Sequence, residues 1–263
     1  MNGDMNKPRF SVLTYIIGNY EIVHEIEEIT PDVEYVLVTD NPSIKSSTWN
    51  VVYVKNEHPE DNFDLCYKIR FNPFDYVHSD IVIRIDGSMV VAGNLDKLVE
   101  EFNRKNYDIM LEIHPTRSTM YHEYLAWCQM RNYPVEQANK CLNYMAGMEG
   151  YDVKGYRGLY QYNFMIQRKN KINLDLNRMT LATIKYLAPE GKQIDRLDQT
   201  IGSFVINKYF NNIKVLPVSQ RVCTSGVYFK WCQHGSDKVM QDNYNYDTPY
   251  LFNEVIQTIW VGE

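Results

Sequence analysis

The sequence predicts an α/β fold, with a mostly parallel central sheet and helices on both faces, in a single domain. Three observations predict it. Short, near-continuous runs of Val, Ile and Leu recur through the first half, as strands buried on both faces require. Segments with helical spacing lie between those runs. No repeat, low-complexity tract or linker rich in Pro, Gly or Ser divides the 263 residues.

The strand runs are FSVLTYII (10–17), EYVLVTD (34–40), WNVVYV (49–54), DIVIRID (80–86) and DIMLEIH (108–114). Helices are predicted over 65–71 and 95–103, the second with Leu95, Leu98, Val99 and Phe102 on one face. After His114 the pattern shifts to helices over 120–129 and 135–148, a strand over 160–167, and helices over 174–186 and 197–207. Tyr121, Tyr124, Leu125 and Cys128 form the apolar stripe of the first of these. The last forty-odd residues are polar, aromatic and turn-rich, and no element is assigned there.

Composition narrows the function. A net charge of −6 gives no basis for nucleic-acid binding, which needs a clustered basic surface. The run Arg168-Lys169-Asn170-Lys171 reads as a solvated turn. Five scattered cysteines with no CxxC suit reduced thiols in a cytosolic protein. The start MNGDMNKPRF is too polar for a secretory signal, and no apolar run reaches the roughly 20 residues of a transmembrane segment. A cytoplasmic protein is expected, peripheral to a membrane only through a partner.

Several signatures are missing: the GxGxxG turn, the P-loop, the second His of a zincin helix after His122-Glu123, and the G-x-S-x-G elbow. What remains concentrates at strand ends, where ligands of open α/β sheets sit. Asp40 closes the second strand, Asp86 the fourth and His114 the fifth. Asp86 is followed by Gly87 and Ser88, so the chain turns there. Its carboxylate either holds a divalent cation at a diphosphate or only starts the turn. Arg117, just past His114, either clamps a phosphate or forms a structural salt bridge. Glu123 is either solvated or directed into the crevice. His24, His58 and His78 are expected at the surface.

The stretch Ile85-Asp86-Gly87-Ser88-Met89-Val90-Val91-Ala92-Gly93-Asn94-Leu95 resembles the DxD region of GT-A glycosyltransferases, in particular the galactosyltransferase and glycogenin group. Asp86 falls on the first Asp and Ser88 on the second, with Asn94 in place of the Asp before Leu95. Asp198-Gln199 resembles that group's D-Q pair, Asn163 in YNFMI its Asn strand, and Thr14–Tyr20 its nucleoside loop, in the family's order. His234-Gly235-Ser236-Asp237-Lys238 loosely resembles its late metal-binding segment, with shorter spacing and no Pro-Trp. YKIRFNPFDYVHSDIVIRIDGSM and EIHPTRSTMYHEYLAW also resemble a glycosyltransferase-like family that includes plant mucilage-related proteins. His114, Arg117, Tyr121 and Glu123 match its H-x-x-R-x-x-x-Y-x-E segment, and Lys68 lies where it has a basic residue.

The resemblance implies a GT-A (Rossmann-like) fold with a nucleotide-binding half at about 8–115 and an acceptor and donor-sugar half with a tail at 116–263. It implies sugar transfer from a nucleoside diphosphate sugar, a UDP-sugar first, to a saccharide or glycoconjugate acceptor. Thr14, Tyr15 and Asp40 would hold the nucleoside, and Asp86, Ser88 and His234 would hold Mn²⁺ or Mg²⁺. Lys68, His114, Arg117 and Asn163 would complete the donor site, and Asp198 and Gln199 would face the anomeric carbon. The 21 tyrosines suit a saccharide acceptor, since aromatic faces stack on sugar rings. Rival readings are a non-catalytic sugar-nucleotide-binding protein and a sugar nucleotidyltransferase. The latter is disfavoured by the absence of a Gly-rich basic loop after the first strand.

Overall fold

The computed structural model describes residues 7–155, 158–188 and 197–239. Its strands are β1 (Phe10–Ile16), β2 (Val33–Thr39), β3 (Asn50–Tyr53), β4 (Ile81–Ile85), β5 (Met89–Val91), β6 (Ile109–Ile113), β7 (Tyr160–Arg168), β8 (Val215–Val218) and β9 (Phe229–Trp231). Seven form the central sheet in the order β3-β2-β1-β4-β7-β6-β8, and β5 and β9 pair separately. All central neighbours are parallel except those of β7, which runs against both β4 and β6. The sheet is therefore mostly parallel, and its one reversed strand is not visible in the periodicity.

Every residue of β1 and β4 is buried, which explains why their sequences are nearly unbroken apolar runs. Successive side chains of β1 go to opposite faces: Phe10, Val12 and Ile16 join one core, Leu13, Tyr15 and Ile17 another. The helices are α1 (Asn62–Phe71), α2 (Asp96–Arg104), α3 (Met120–Arg131), α4 (Val135–Asn143), α5 (Lys171–Leu187), α6 (Leu197–Tyr209) and α7 (Arg221–Thr224). Leu98, Val99 and Phe102 of α2 pack with Ile83 and Phe164 on one face. Tyr124 of α3, Leu176 of α5 and Phe204 of α6 pack with Leu111 and Met165 on the other. Thr119 caps α3 by accepting from the His122 amide, and Asn170 caps α5 from Asn173.

Some boundaries differ from expectation. The helix predicted over 135–148 ends at Asn143 and continues as a π-helical turn over Tyr144–Met148. The turn-rich tail contains β8, α7 and β9, each three or four residues long and so too short to show a period. Residues 240–263 lie outside the described part. The five cysteines are free, and no described helix is long and apolar enough to cross a membrane.

The strand order sets where a ligand can sit. From β1 the chain continues to β2 on one side, whereas β4 lies on the other, so the order reverses between β1 and β4. At such a point the connections diverge and leave a crevice outside the carboxyl ends of the two strands. Helix α6 closes over β7 nearby. A Cβ on Gly202 would lie 2.3 Å from the ring of Tyr162, itself buried in β7. Gly202→Ala should therefore lower unfolding stability by about 1–3 kcal/mol, the usual cost of overpacking. Urea denaturation checks this, and an unchanged midpoint would show that α6 can move off the sheet without loss.

Candidate functional site

A cleft of about 640 Å³ opens at the carboxyl ends of β1 and β4. It gathers side chains from segments far apart in sequence. Tyr15 comes from β1, Asp86 and Ser88 from the turn after β4, and Asn163 from β7. His114 and Arg117 follow β6, Asp198 and Gln199 begin α6, and His234 follows β9. The turn at Asp86 is fixed by its amide donating to the Asn163 carbonyl (2.9 Å) and its carbonyl accepting from Met89 (3.0 Å). Gly87 allows the close approach, because a Cβ there would lie 2.8 Å from the Tyr20 hydroxyl.

Arg70 sits at the centre. Its Nη2 donates to Asp86 Oδ1 at 2.8 Å, its Nε to the Tyr15 hydroxyl at 2.8 Å, and its Nη1 pairs with Asp198 Oδ2. Burial works against the arginine charge, but neighbouring acid groups, led by Tyr15 and Asp86, raise its pKa. Burial in turn pushes the Tyr15 hydroxyl up to about 12, with the Arg70 charge opposing. Behind them lies Arg84, 1% exposed in the middle of β4. It donates to the Tyr162 carbonyl (2.5 Å) and comes within 3.7 Å of Asp86, while its Nε and Nη1 have no hydrogen-bond partner among the described residues. Burial, then the nearby Arg70 charge, lowers Arg84 to about 10, so it is still a cation at neutral pH.

A second charged group lies on the other side of the cleft. Glu123 is fully buried and directed into the crevice, not solvated. Its carboxylate accepts from Arg117 Nε and Nη2 and from Gln199 Nε2 at 2.7 Å. Arg117 thus forms the salt bridge that was one of its two expected roles. His114 accepts at Nδ1 from the Thr116 and Arg117 amides, at 3.2 and 2.9 Å. A neutral ring with Nδ1 accepting carries its proton on Nε2, which lies 3.6 Å from Glu123. Burial, then the Arg117 charge, lowers His114 to about 2 and keeps it neutral.

Three of the expected ligand residues do not line the cleft. Lys68 pairs with Asp64 at 2.5 Å on another face of α1, because its position is out of phase with the lining residues Phe63, Tyr67 and Arg70. Thr14 is buried inside the sheet, since its side chain leaves β1 on the opposite face from Tyr15. Asp40 fastens the loop after β1 by accepting from the Gly18 amide at 2.9 Å. Arg70, Arg84 and Trp231 are central residues for which no role is expected from the sequence, although the first two lie within the run YKIRFNPFDYVHSDIVIRIDGSM. For Arg70 the helical spacing from Phe63 and Tyr67 was the available signal; for Arg84 it was a lone charge inside an apolar strand.

The proposed metal ligands are committed elsewhere. Asp86 pairs with Arg70, the Ser88 hydroxyl accepts from Trp231 Nε1 (3.1 Å), and His234 Nδ1 donates to Glu21 (2.9 Å). Among the described residues, no three His, Cys, Asp or Glu side chains come together as a metal site. The residues present do not fit Mn²⁺ or Mg²⁺, which take oxygen ligands led by carboxylates. Glu21, its side chain fully buried, also accepts from the Gly235 amide (2.6 Å) and so holds the 231–235 segment against the cleft. Beside it, His24 is buried between Glu21 and Asp237 and is not the surface residue expected. His58 and His78 are exposed, beside Glu60 and Glu34.

Behind Asn163 lies Glu112, fully buried, with Cys223 Sγ 3.1 Å away. Burial raises this carboxyl from 4.5 to about 7; the Cys223 thiol and the nearby Asn163 amide oppose the rise, although that amide forms no well-aligned hydrogen bond of its own. Between pH 4.5 and about 7 the folded chain binds the extra proton, so this group's contribution to stability falls as pH rises through that window. The gap corresponds to roughly 3 kcal/mol at most. Glu112→Gln should therefore be stabilised relative to the parent by an amount that grows from pH 4 to pH 8. Urea denaturation at both pH values tests this; a pH-independent difference would refute it.

No protein-family model matches the chain, and no curated protein matches it.

Proposed function

We propose that the chain is a glycosyltransferase of the GT-A kind, binding a nucleoside diphosphate sugar in the cleft between β1 and β4. One observation carries this reading. Four segments that resemble the donor-binding motifs of that group, separated by as many as 184 positions between Thr14 and Asp198, line or border one crevice at the switch point of a mostly parallel sheet. Tyr15, Asp86, Asn163 and the Asp198-Gln199 pair are all in its wall. A UDP-sugar is the first donor to test, with a saccharide or glycoconjugate as acceptor.

The chemistry asks for two charges of opposite sign. As the bond from the anomeric carbon to the diphosphate breaks, positive charge grows on the sugar and negative charge on the leaving oxygen. Asp198 and Arg70 are a carboxylate and a guanidinium already in contact in the cleft wall, so they supply both signs without reorganisation. The incoming acceptor hydroxyl forms the new bond at the same carbon, and its proton passes to an oxygen of the departing nucleoside diphosphate. Glu123 is held by Arg117 and Gln199, which favours a positioning role for that carboxylate over proton transfer. Phe63, Tyr67 and Trp127 give the cleft an aromatic side suited to a sugar face.

The reading is tested by a thermal-shift screen of UDP-, GDP-, CMP- and TDP-sugars, followed by transfer and hydrolysis assays. At least one nucleotide should raise the melting temperature, since binding to the folded state alone stabilises it. No shift at millimolar concentration would overturn the nucleotide-sugar reading, and binding without turnover would leave a sugar-nucleotide-binding protein. Asp198→Asn should lose on the order of a hundredfold or more in turnover. It should also cost about 1–3 kcal/mol of stability, because Arg70 loses a charged partner. Turnover within about threefold of the parent removes Asp198 from the chemistry.

A further inference from the structure

A metal-binding turn needs surplus negative charge, and this cleft has none at Asp86. Two guanidinium cations, Arg70 and Arg84, face two carboxylates, Asp86 and Asp198. Arg70 Nη2 is 2.8 Å from Asp86 Oδ1, so a cation on this carboxylate would sit beside the guanidinium. A divalent ion there would meet like charge a few ångströms away, and the second carboxylate that would outweigh it is replaced by Ser88. That hydroxyl is 1% exposed and already accepts from Trp231. Of the five N–H donors of a guanidinium, Arg70 uses one on Tyr15, one on Asp86 and one on Asp198. Among the described residues nothing else accepts from it, so two remain on a side chain that lines the cleft.

We propose that Arg70 takes the place of a divalent cation at Asp86, so that the cleft binds a nucleoside diphosphate without metal. This rests on the nucleotide-sugar reading above. Planar guanidinium groups suit phosphate oxygens because they donate two parallel hydrogen bonds. Asp86 becomes a positioning residue for that fork, Asp198 steadies its other side while keeping its role toward the sugar, and Arg84 behind Asp86 keeps the local charge from turning negative. Ser88 follows from the same arrangement: a second Asp at this position would compete with the phosphate for Arg70.

Calorimetry of UDP and GDP binding to the full chain, in EDTA and in 1 mM Mn²⁺ or Mg²⁺, tests the proposal. The expected result is a dissociation constant within about threefold across all three buffers for the nucleotide that binds. A dissociation constant at least tenfold tighter with metal, or binding lost in EDTA, overturns this proposal and leaves the nucleotide-sugar reading standing. Neither nucleotide binding in any buffer overturns this proposal, and the nucleotide-sugar reading falls as well only if the four-nucleotide thermal-shift screen also shows no binding. Arg70→Gln should weaken binding in EDTA at least tenfold and make it metal-dependent, by releasing Asp86 and Asp198. Arg70→Lys should retain part of the metal-free binding. Circular dichroism of each variant shows that it is folded, and a folded Arg70→Gln that binds like the parent in EDTA also overturns the proposal. The parent chain's own EDTA comparison decides the matter if a variant does not fold.

Discussion

One guanidinium ties together the parts of this molecule that make the cleft. Arg70 comes from α1, Tyr15 from β1, Asp86 from the turn after β4, and Asp198 from the start of α6. The four residues are distant in sequence, and each contact draws a different element to the same point. Charge burial of this kind is a poor source of net stability, because desolvation offsets most of the Coulomb gain. Its value lies in geometry: replacing a partner by an apolar side chain that offers no acceptor leaves a buried charge behind, at about 3–5 kcal/mol, so one arrangement is strongly preferred over looser ones.

The rest of the cleft repeats the pattern at smaller scale. Glu123 collects Arg117, Gln199 and the edge of His114, which fixes the loop after β6 against α6. Glu21 collects His234 and the Gly235 amide, which fixes the segment after β9. In each case a buried carboxylate acts as the hub and the loops supply donors. The sheet beneath gives the rigid base, since β1 and β4 are buried along their full length.

The fold was legible where periodicity had room to act. The runs in β1, β2, β4, β6 and β7 are long enough to stand out as apolar, and the stripes of α2 and α3 are long enough to show a period. β5, β8, α7 and β9 are not, and the direction of β7 depends on long-range pairing that no local pattern records. At the site, the turn at Asp86 and the Asp198-Gln199 pair were legible as motifs, and the structure brings them to one cleft. In sequence Lys68 and Arg70 are two nearby basic residues with nothing local to tell them apart. Two positions apart on a helix they point about 200° apart, so only one can face the cleft. Glu112, which carries no expectation, and His24, which is expected at the surface, differ from the structure for a common reason: their settings come from burial, which a polar residue in a short segment does not advertise.

The clasp at Glu21 also bears on the order in which the molecule assembles. Glu21 and His234 are 213 positions apart in sequence, and Trp231 meets Ser88 across 143. Closing such long loops costs chain entropy before any contact repays it, so pairings of this span form late in folding. The sheet edge formed by β1, β2 and β3 needs only the first 53 residues. The wall carrying Trp231 and His234 must wait until nearly all the described chain has been made. The residues of β1, β2 and β3 are therefore all present long before the cleft wall at Trp231 and His234 can form.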